Sequence, residues 1–263
     1  MPIYKTPWPG LGAISALAVL VHGYHLGVDD SAIYLPAVKR VADPALYPFG
    51  AEFFLTQTRL SIFPQLVGYS ARLAHLPVNG AIFAWHALSI LLLLLAAWQV
   101  LGCCFESAAA HWGGVAFLAA TLSVPVAGTA LVIMDPYLTA RSLSTPAMLF
   151  GVACCLANRP WRALAWVTAA AALHPLMAVY GALFIACLIL WRIDAHKRPA
   201  PAPTMPAPAP GTLLVLPGIF SFEPVTGPAR DCLLARQYLF VTNWAWFEWL
   251  GAAAPLLLSL IHI

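Results

Sequence analysis

The stretch LAHLPVNGAIFAWHALSILLLLLAAWQVLGCCF, residues Leu73–Phe105, contains no Asp, Glu, Lys or Arg. A helix needs roughly 20 consecutive apolar residues to cross the hydrocarbon core of a bilayer, and this stretch is longer than that. Across the chain, 62% of the residues are hydrophobic and 9% are charged, whereas soluble domains average about 25% charged residues. The composition therefore predicts a membrane protein and excludes an ordinary soluble domain.

Other uncharged stretches lie on both sides of this one, at Thr6–Val28, Ser107–Met134, Ser142–Asn158 and Ala163–Trp191. We therefore expect an all-α fold, a polytopic bundle of transmembrane helices. The last stretch is too long for one straight span and too short for two. Because Pro175 lies near its middle and removes a helical hydrogen bond, the stretch forms either one kinked helix or two segments that meet at His174.

The orientation of the bundle follows from its short loops. The connection Asn158–Arg162 carries two arginines between apolar stretches, which favours the cytoplasmic side. Counting back through alternating spans places Asp135–Arg141 outside and Glu106–His111 inside. The same count places loop 29–77 outside and the amino terminus, with Lys5, inside.

Loop 29–77 is too rich in aromatic residues for a simple tether. We expect helices at Ser31–Ala42 and Leu60–Leu76, interrupted by Pro36 and Pro64. Their aromatic side chains supply apolar faces, which is typical of helices that lie on the membrane surface.

We divide the chain into a transmembrane core at 1–191, a linker with an aromatic loop at 192–249, and an incomplete transmembrane segment at 250–263. The Pro/Ala-rich part of the linker predicts an extended polyproline-type chain. Residues 258–263 resemble a translated sequencing adaptor, so we expect an artificial end and a truncated protein.

Cysteines, histidines and net charge exclude several kinds of site. The six cysteines show no Cys-x-x-Cys spacing, so neither a zinc site nor a redox pair is predicted. For His22, His25 and His86 we expect structural hydrogen bonds within the bundle, because few acids or cysteines accompany them. The net charge of +3 is small and spread along the chain, which gives no indication of nucleic-acid binding.

Two adjacent carboxylates, Asp29 and Asp30, stand where the first apolar stretch ends. The carboxyl end of a helix is electrically negative and prefers Lys or Arg, so the pair suggests a site for a proton, a metal or a substrate hydroxyl. Alternatively, Asp30 caps the helix that follows it. That alternative leaves Asp29 unexplained.

Further polar residues fall on the predicted outer side, namely Tyr34, Asp135, Tyr137, Arg141 and His174. Charged groups and histidines are costly at membrane depth, so function is the default interpretation. Arg141 precedes Ser142, Ser144 and Thr145 at a predicted helix start, which could bind phosphate. The alternative is a capped helix with an interfacial arginine.

These features together resemble the GT-C superfamily of membrane glycosyltransferases. The resemblance rests on a first span that ends in Asp-Asp-x-x-x-Tyr, a long outer loop with Tyr47-Pro48, the segment Arg141–Pro146, and His174-Pro175. It covers roughly residues 10–180 and is closest to an uncharacterised bacterial branch of the superfamily.

The resemblance implies transfer of a sugar from a polyprenyl-phosphate donor at the outer face of the bacterial cytoplasmic membrane. Asp29 or Asp30 would act as general base or help to hold a divalent cation, Mg²⁺ or Mn²⁺. Arg141 or a metal would neutralise the departing phosphate, and Tyr34, Asp135, Tyr137 and His174 would bind substrate. The resemblance also implies a missing carboxyl-terminal region, without which this chain can be inactive.

Two other functions stay open at this point. The acids and His174 could line the path of a proton- or substrate-translocating transporter, although we see no internal symmetry between two halves. The chain could also be a non-catalytic polytopic membrane protein.

Overall fold

The computed structural model describes residues 6–55, 58–120, 135–197, 226–235, 240–246 and 249. Within these ranges all regular structure is helical, so the expected all-α class is confirmed for them. The α-helices are α1 Trp8–His22, α2 Ser31–Ala42, α3 Ala51–Leu55, α4 Phe63–Leu73, α5 Val78–Cys104, α6 Ala108–Ala120, α7 Ala140–Leu156, α8 Pro160–Leu173, α9 Pro175–Lys197 and α10 Pro228–Leu234, and a 3₁₀-helix spans Val241–Asn243.

Helix α5 forms the centre of the first compact unit, which comprises residues 1–124 and 132–190. Its 27 residues extend about 40 Å at 1.5 Å per residue. Helices α1 and α6 pack on it through one apolar cluster, in which Leu11, Leu94 and Val115 are fully buried. The apolar stretch that predicts a span is therefore also the core of the unit.

In the part of the chain that the structure describes, two helices are long and apolar enough to cross a bilayer, namely Val78–Cys104 and the Pro175–Arg192 part of α9. The other apolar helices α1, α6 and α7 have 15, 13 and 17 described residues, fewer than the roughly 20 that a span requires. Helix α1 ends at His22, before the expected Val28, because Gly23 adopts φ +77° and leaves helical geometry.

Helices α7 and α8 form an antiparallel hairpin around Asn158. This residue has a φ of +58°. The Arg159 N–H donates to the Cys154 carbonyl at 2.8 Å and the Asn158 N–H donates to the Cys155 carbonyl at 3.0 Å. These two bonds form a Schellman motif at the carboxyl end of α7. Pro160 then begins α8 at the first helical position, where proline is favoured. The hairpin brings the start of α7 and the end of α8 to the same side.

The break expected at His174-Pro175 is present, which decides between the two alternatives for this stretch. Helix α8 ends at Leu173, His174 is extended at φ −151° and ψ 95°, and α9 begins at Pro175. A residue before proline disfavours the helical region, and proline itself cannot donate a backbone hydrogen bond. The stretch therefore forms two segments.

The described part of loop 29–77 contains the expected helices, with two differences from the prediction. Helix α2 matches its predicted bounds, whereas α4 is shorter than predicted. Pro36 does not interrupt α2, because the neighbouring Ala37 and Val38 are buried and hold the helix. Pro64 falls in the first turn of α4, where proline is tolerated.

Gly68 determines how closely α4 approaches α2. A Cβ added there would lie 2.7 Å from the Val41 Cβ and 3.0 Å from the Val38 carbonyl oxygen. Only glycine fits this contact without a shift of the neighbouring helix.

The second unit comprises residues 125–131 and 191–263. In its described part the rings of Trp244 and Trp249 make a T-shaped contact, with their centroids 5.5 Å apart. The predicted polyproline segment 198–210 and the predicted incomplete span 250–263 lie outside the described residues.

Candidate functional site

Hydrogen bonds between backbone groups assemble one end of the first unit. The His25 N–H, after α1, donates to the Pro136 carbonyl at 2.7 Å. The Ile62 N–H, before α4, donates to the Ala172 carbonyl near the end of α8 at 2.9 Å. Segments that are distant in sequence therefore meet where the candidate residues lie.

A capping box orients the first turn of α7. The Thr139 hydroxyl accepts from the Ser142 N–H at 3.4 Å, and the Ser142 hydroxyl accepts from the Thr139 N–H at 3.1 Å. The Thr145 hydroxyl donates to the Arg141 carbonyl, and the Ser144 hydroxyl donates to the Ala170 carbonyl. These hydroxyls are already engaged within the fold, which favours the capped-helix interpretation over a phosphate site at this helix start.

Arg141 joins two carboxylates that are far apart in the chain. Its Nη2 lies 2.6 Å from Asp135 Oδ2, and its Nη1 lies 3.6 Å from Asp30 Oδ2. The Asp135 side chain is 3% exposed, that of Arg141 is 15% exposed, and that of Asp30 is 49% exposed. The result is a buried ion pair that holds one half-exposed carboxylate, and the three groups together carry more negative than positive charge.

The Asp30 carboxylate does not cap α2. Asp30 occupies the N-cap position with helical backbone angles, and its side chain makes no capping hydrogen bond. Instead, the Ser31 hydroxyl donates to the Val28 carbonyl at 2.7 Å in the same turn. The capping alternative is therefore wrong, and the side chain belongs to the cluster with Arg141.

Asp29 differs from its neighbour. Its backbone adopts φ +48°, and the residue is exposed. Within the described residues its carboxylate makes no hydrogen bond or ion pair. The structure therefore brings Asp30 into the cluster and leaves Asp29 outside it.

Tyr34 and Tyr137 stand beside the charged groups. Burial raises the pKa of Tyr34, and the negative charge of Asp30 raises it further. Burial, followed by Asp135, raises the pKa of Tyr137 to about 12. Both phenols are thus protonated at neutral pH, and the 5% exposure of Tyr137 indicates a supporting position rather than a direct contact with substrate.

His174 lies between the end of α8 and the start of α9. Its Nδ1 accepts from the Met177 N–H at 3.3 Å, which requires that nitrogen to be unprotonated. Burial lowers the pKa of His174; the positive charge of Arg141 also lowers it, whereas Asp30 acts in the opposite direction. The imidazole is therefore neutral at neutral pH and within electrostatic range of the cluster.

A small cavity of about 20 Å³ lies beside Arg141. It is lined by Ser89, Ile90, Leu93, Asp135, Arg141, Ser142 and Thr145. This volume suffices for one water molecule. A divalent cation does not suit the same groups, because the Arg141 guanidinium already occupies the space between the two carboxylates. In the described part of the chain no three His, Cys, Asp or Glu residues converge as metal ligands.

His22, His25 and His86 differ in their environments. The His22 Nε2 lies 3.1 Å from the Ala119 carbonyl oxygen, so the structural role expected for His22 is confirmed. His25 contributes its backbone N–H to the assembly described above. The His86 ring packs on Tyr24, with their ring centroids 5.0 Å apart. The Tyr137 backbone is the polar neighbour of this ring.

Sequence reasoning missed a second group of charged residues, the arginines at positions 40, 59 and 72. They line a cleft of about 400 Å³ between α2 and α4. Their signal was present in the sequence, because arginines in a loop placed outside run against the positive-inside rule.

No family model matches the chain, and neither a curated protein nor a solved structure matches it. The functional interpretation therefore rests on the geometry above.

Proposed function

We propose that the chain is the core of an integral membrane glycosyltransferase of the GT-C type. It would transfer a sugar from a polyprenyl-phosphate donor to an acceptor at the extracytoplasmic face of the bacterial cytoplasmic membrane, with its amino terminus in the cytoplasm. One observation carries the proposal: a half-exposed carboxylate, Asp30, is held by the buried Arg141–Asp135 pair at one end of an apolar helical core.

In this mechanism Asp30 is the general base. It takes the proton of the acceptor hydroxyl while that oxygen bonds to the anomeric carbon of the sugar. The bond from the anomeric carbon to the phosphate oxygen breaks, and the polyprenyl phosphate leaves with the electron pair. Arg141 orients Asp30 in this scheme. Because two carboxylates already share its charge, it is poorly suited to neutralise the phosphate.

The test measures glycosyl transfer by the purified full-length protein with a polyprenyl-phosphate sugar. Asp30→Asn keeps the size of the side chain but cannot accept the proton, so transfer should fall about 10²- to 10⁴-fold. Asp29→Asn is the matched control, because it removes the same charge from the adjacent, exposed position outside the cluster, and it should retain most activity. Full activity in Asp30→Asn would remove Asp30 from the mechanism.

A further inference from the structure

The cleft between α2 and α4 is separate from the Asp30 cluster and collects positive charge. Among the described residues, its lining includes three arginines, Arg40, Arg59 and Arg72, and no acidic residue. Its volume of about 400 Å³ lies within the range of small-molecule sites. Asp43, close to the rim in sequence, is engaged elsewhere, since its Oδ1 accepts the Ala45 N–H at 3.0 Å.

Helix ends explain the arginines only in part. Arg40 lies in the last turn of α2 and Arg72 in the last turn of α4, where positive charge is favourable. Arg59 belongs to neither helix. Three like charges around one cleft repel each other, and a negatively charged occupant would offset that repulsion.

Arg40 provides an independent indication of a ligand. Its Nη1 is buried and bonds no acceptor among the described residues. A buried guanidinium N–H without an acceptor is costly. Phosphate oxygens are acceptors that match the planar geometry of guanidinium groups.

Exposed apolar side chains follow two of the cleft arginines in the chain. Leu60, next to Arg59, is 80% exposed, and Leu73, next to Arg72, is 82% exposed. Each of these arginines thus has an exposed leucine directly after it in the chain. A ligand with a phosphate and hydrocarbon chains would contact both kinds of side chain.

We propose that this cleft binds the phosphate group of an anionic lipid, with the acyl chains over Leu60 and Leu73. The site does not depend on the proposed glycosyl transfer. A soluble phosphate compound would offer the same phosphate oxygens to the arginines. The two kinds of ligand differ because only the lipid has acyl chains that contribute to binding.

The experiment is equilibrium dialysis of the purified full chain in a neutral detergent. The main probe is radiolabelled dihexanoyl phosphatidic acid below its critical micelle concentration, and the comparison probes are glycerol phosphate, inorganic phosphate and dihexanoylglycerol. The lipid should bind more tightly than either soluble phosphate, and dihexanoylglycerol should bind weakly. Equal affinity for all phosphate probes would assign the cleft to a soluble phosphate compound, and absence of binding by every phosphate probe would overturn the site.

Single Arg59→Gln and Arg72→Gln variants test the arginines, which are exposed and free of any role in the helical core. Each should weaken binding of the phosphatidic acid about 10- to 100-fold, as for a lost charge-assisted hydrogen bond. Lys39→Gln is the matched control, because it removes one positive charge beside Arg40 without lining the cleft. The ligand-free melting temperatures of the variants should stay close to that of the wild type, because an exposed charge at a helix end contributes little to stability. Binding as tight in both arginine variants as in Lys39→Gln would refute the proposal.

Discussion

The Asp30 carboxylate lies 3.6 Å from the Arg141 guanidinium, although an entire transmembrane candidate, α5, separates the two residues in the chain. The contact exists because the segment after α1 and the segment before α7 are joined by the His25–Pro136 backbone hydrogen bond. The position of the candidate base therefore depends on how two loops are tied together, and this dependence can be tested.

Asp135 should matter more for stability than Asp30. Asp135→Asn leaves the buried Arg141 without its short ion pair and should lower the free energy of unfolding by about 3 kcal/mol. Asp30→Asn removes only a half-exposed pair and should cost about 0–1 kcal/mol. Chemical denaturation followed by tryptophan fluorescence measures both.

A double variant tests whether the loss of stability in Asp135→Asn comes from the unpaired charge of Arg141. Asp135→Asn combined with Arg141→Gln removes both buried charges and should recover part of the stability lost in Asp135→Asn alone. Equal losses in Asp30→Asn and Asp135→Asn would show that burial does not distinguish the two carboxylates.

His174 should make the protein sensitive to acid. Burial keeps the pKa of His174 below its ordinary value in the folded state, so below about pH 6.5 the unfolded chain binds a proton more readily than the folded chain. Stability from this residue is therefore present at neutral pH and lost as the pH falls toward the lowered pKa. The melting temperature, measured between about pH 7 and about pH 5, should fall more steeply for the wild type than for His174→Asn.

The Asn variant is chosen because its side-chain oxygen can still accept the Met177 N–H that His174 Nδ1 accepts in the structure. The start of α9 is then preserved while the titrating group is lost. Parallel melting curves over this pH range would mean that His174 contributes nothing to the acid sensitivity.

Local signals in the sequence were sufficient to predict several elements of the fold. The bounds of α2 and the break before Pro175 match the prediction, because proline and apolar periodicity act on neighbouring residues. The interruption at Pro36 was wrong because burial of adjacent residues stabilises the helix, and that burial depends on α4, which the local sequence does not reveal.

The candidate site was predictable as a set of residues but not as an arrangement. Asp29 and Asp30 are chemically identical, and only the left-handed backbone of Asp29 and the long-range contact of Asp30 separate them. The arginine cleft also depends on tertiary packing, since Arg40 and Arg72 come together only when α4 approaches α2 at Gly68.

The close approach at Gly68 gives a prediction about packing. Gly68→Ala places a methyl group within 3.0 Å of α2 and should lower the free energy of unfolding by about 1–3 kcal/mol through overpacking. Gly113→Ala on α6 is the matched control, because a Cβ there meets nothing within 4 Å. The control should be neutral or gain about 0.5–1 kcal/mol from helix propensity. Similar stabilities of the two variants would show that α4 can shift away from α2 without cost.

The final prediction concerns the side of the membrane that Asp30 faces. The count of spans from the Arg159–Arg162 connection places loop 29–77 outside, yet that loop holds more positive residues than the connection does, namely Lys39, Arg40, Arg59 and Arg72. The positive-inside rule applied to the loop alone would therefore place it inside. Accessibility of single cysteines to a membrane-impermeant thiol reagent on intact cells decides between the two.

Suitable positions follow from burial. Ser31 and Thr139 are only 5% and 1% exposed, so a cysteine there would react poorly on either side. Ala32 is exposed in the same turn as Asp30, and Trp161, in the first turn of α8, is 81% exposed. With the six native cysteines replaced by serine or alanine, Ala32→Cys should react on intact cells, and Trp161→Cys should react only after permeabilisation. The reverse pattern would place Asp30 in the cytoplasm, and transfer from a donor at the outer face could not then use it as the base.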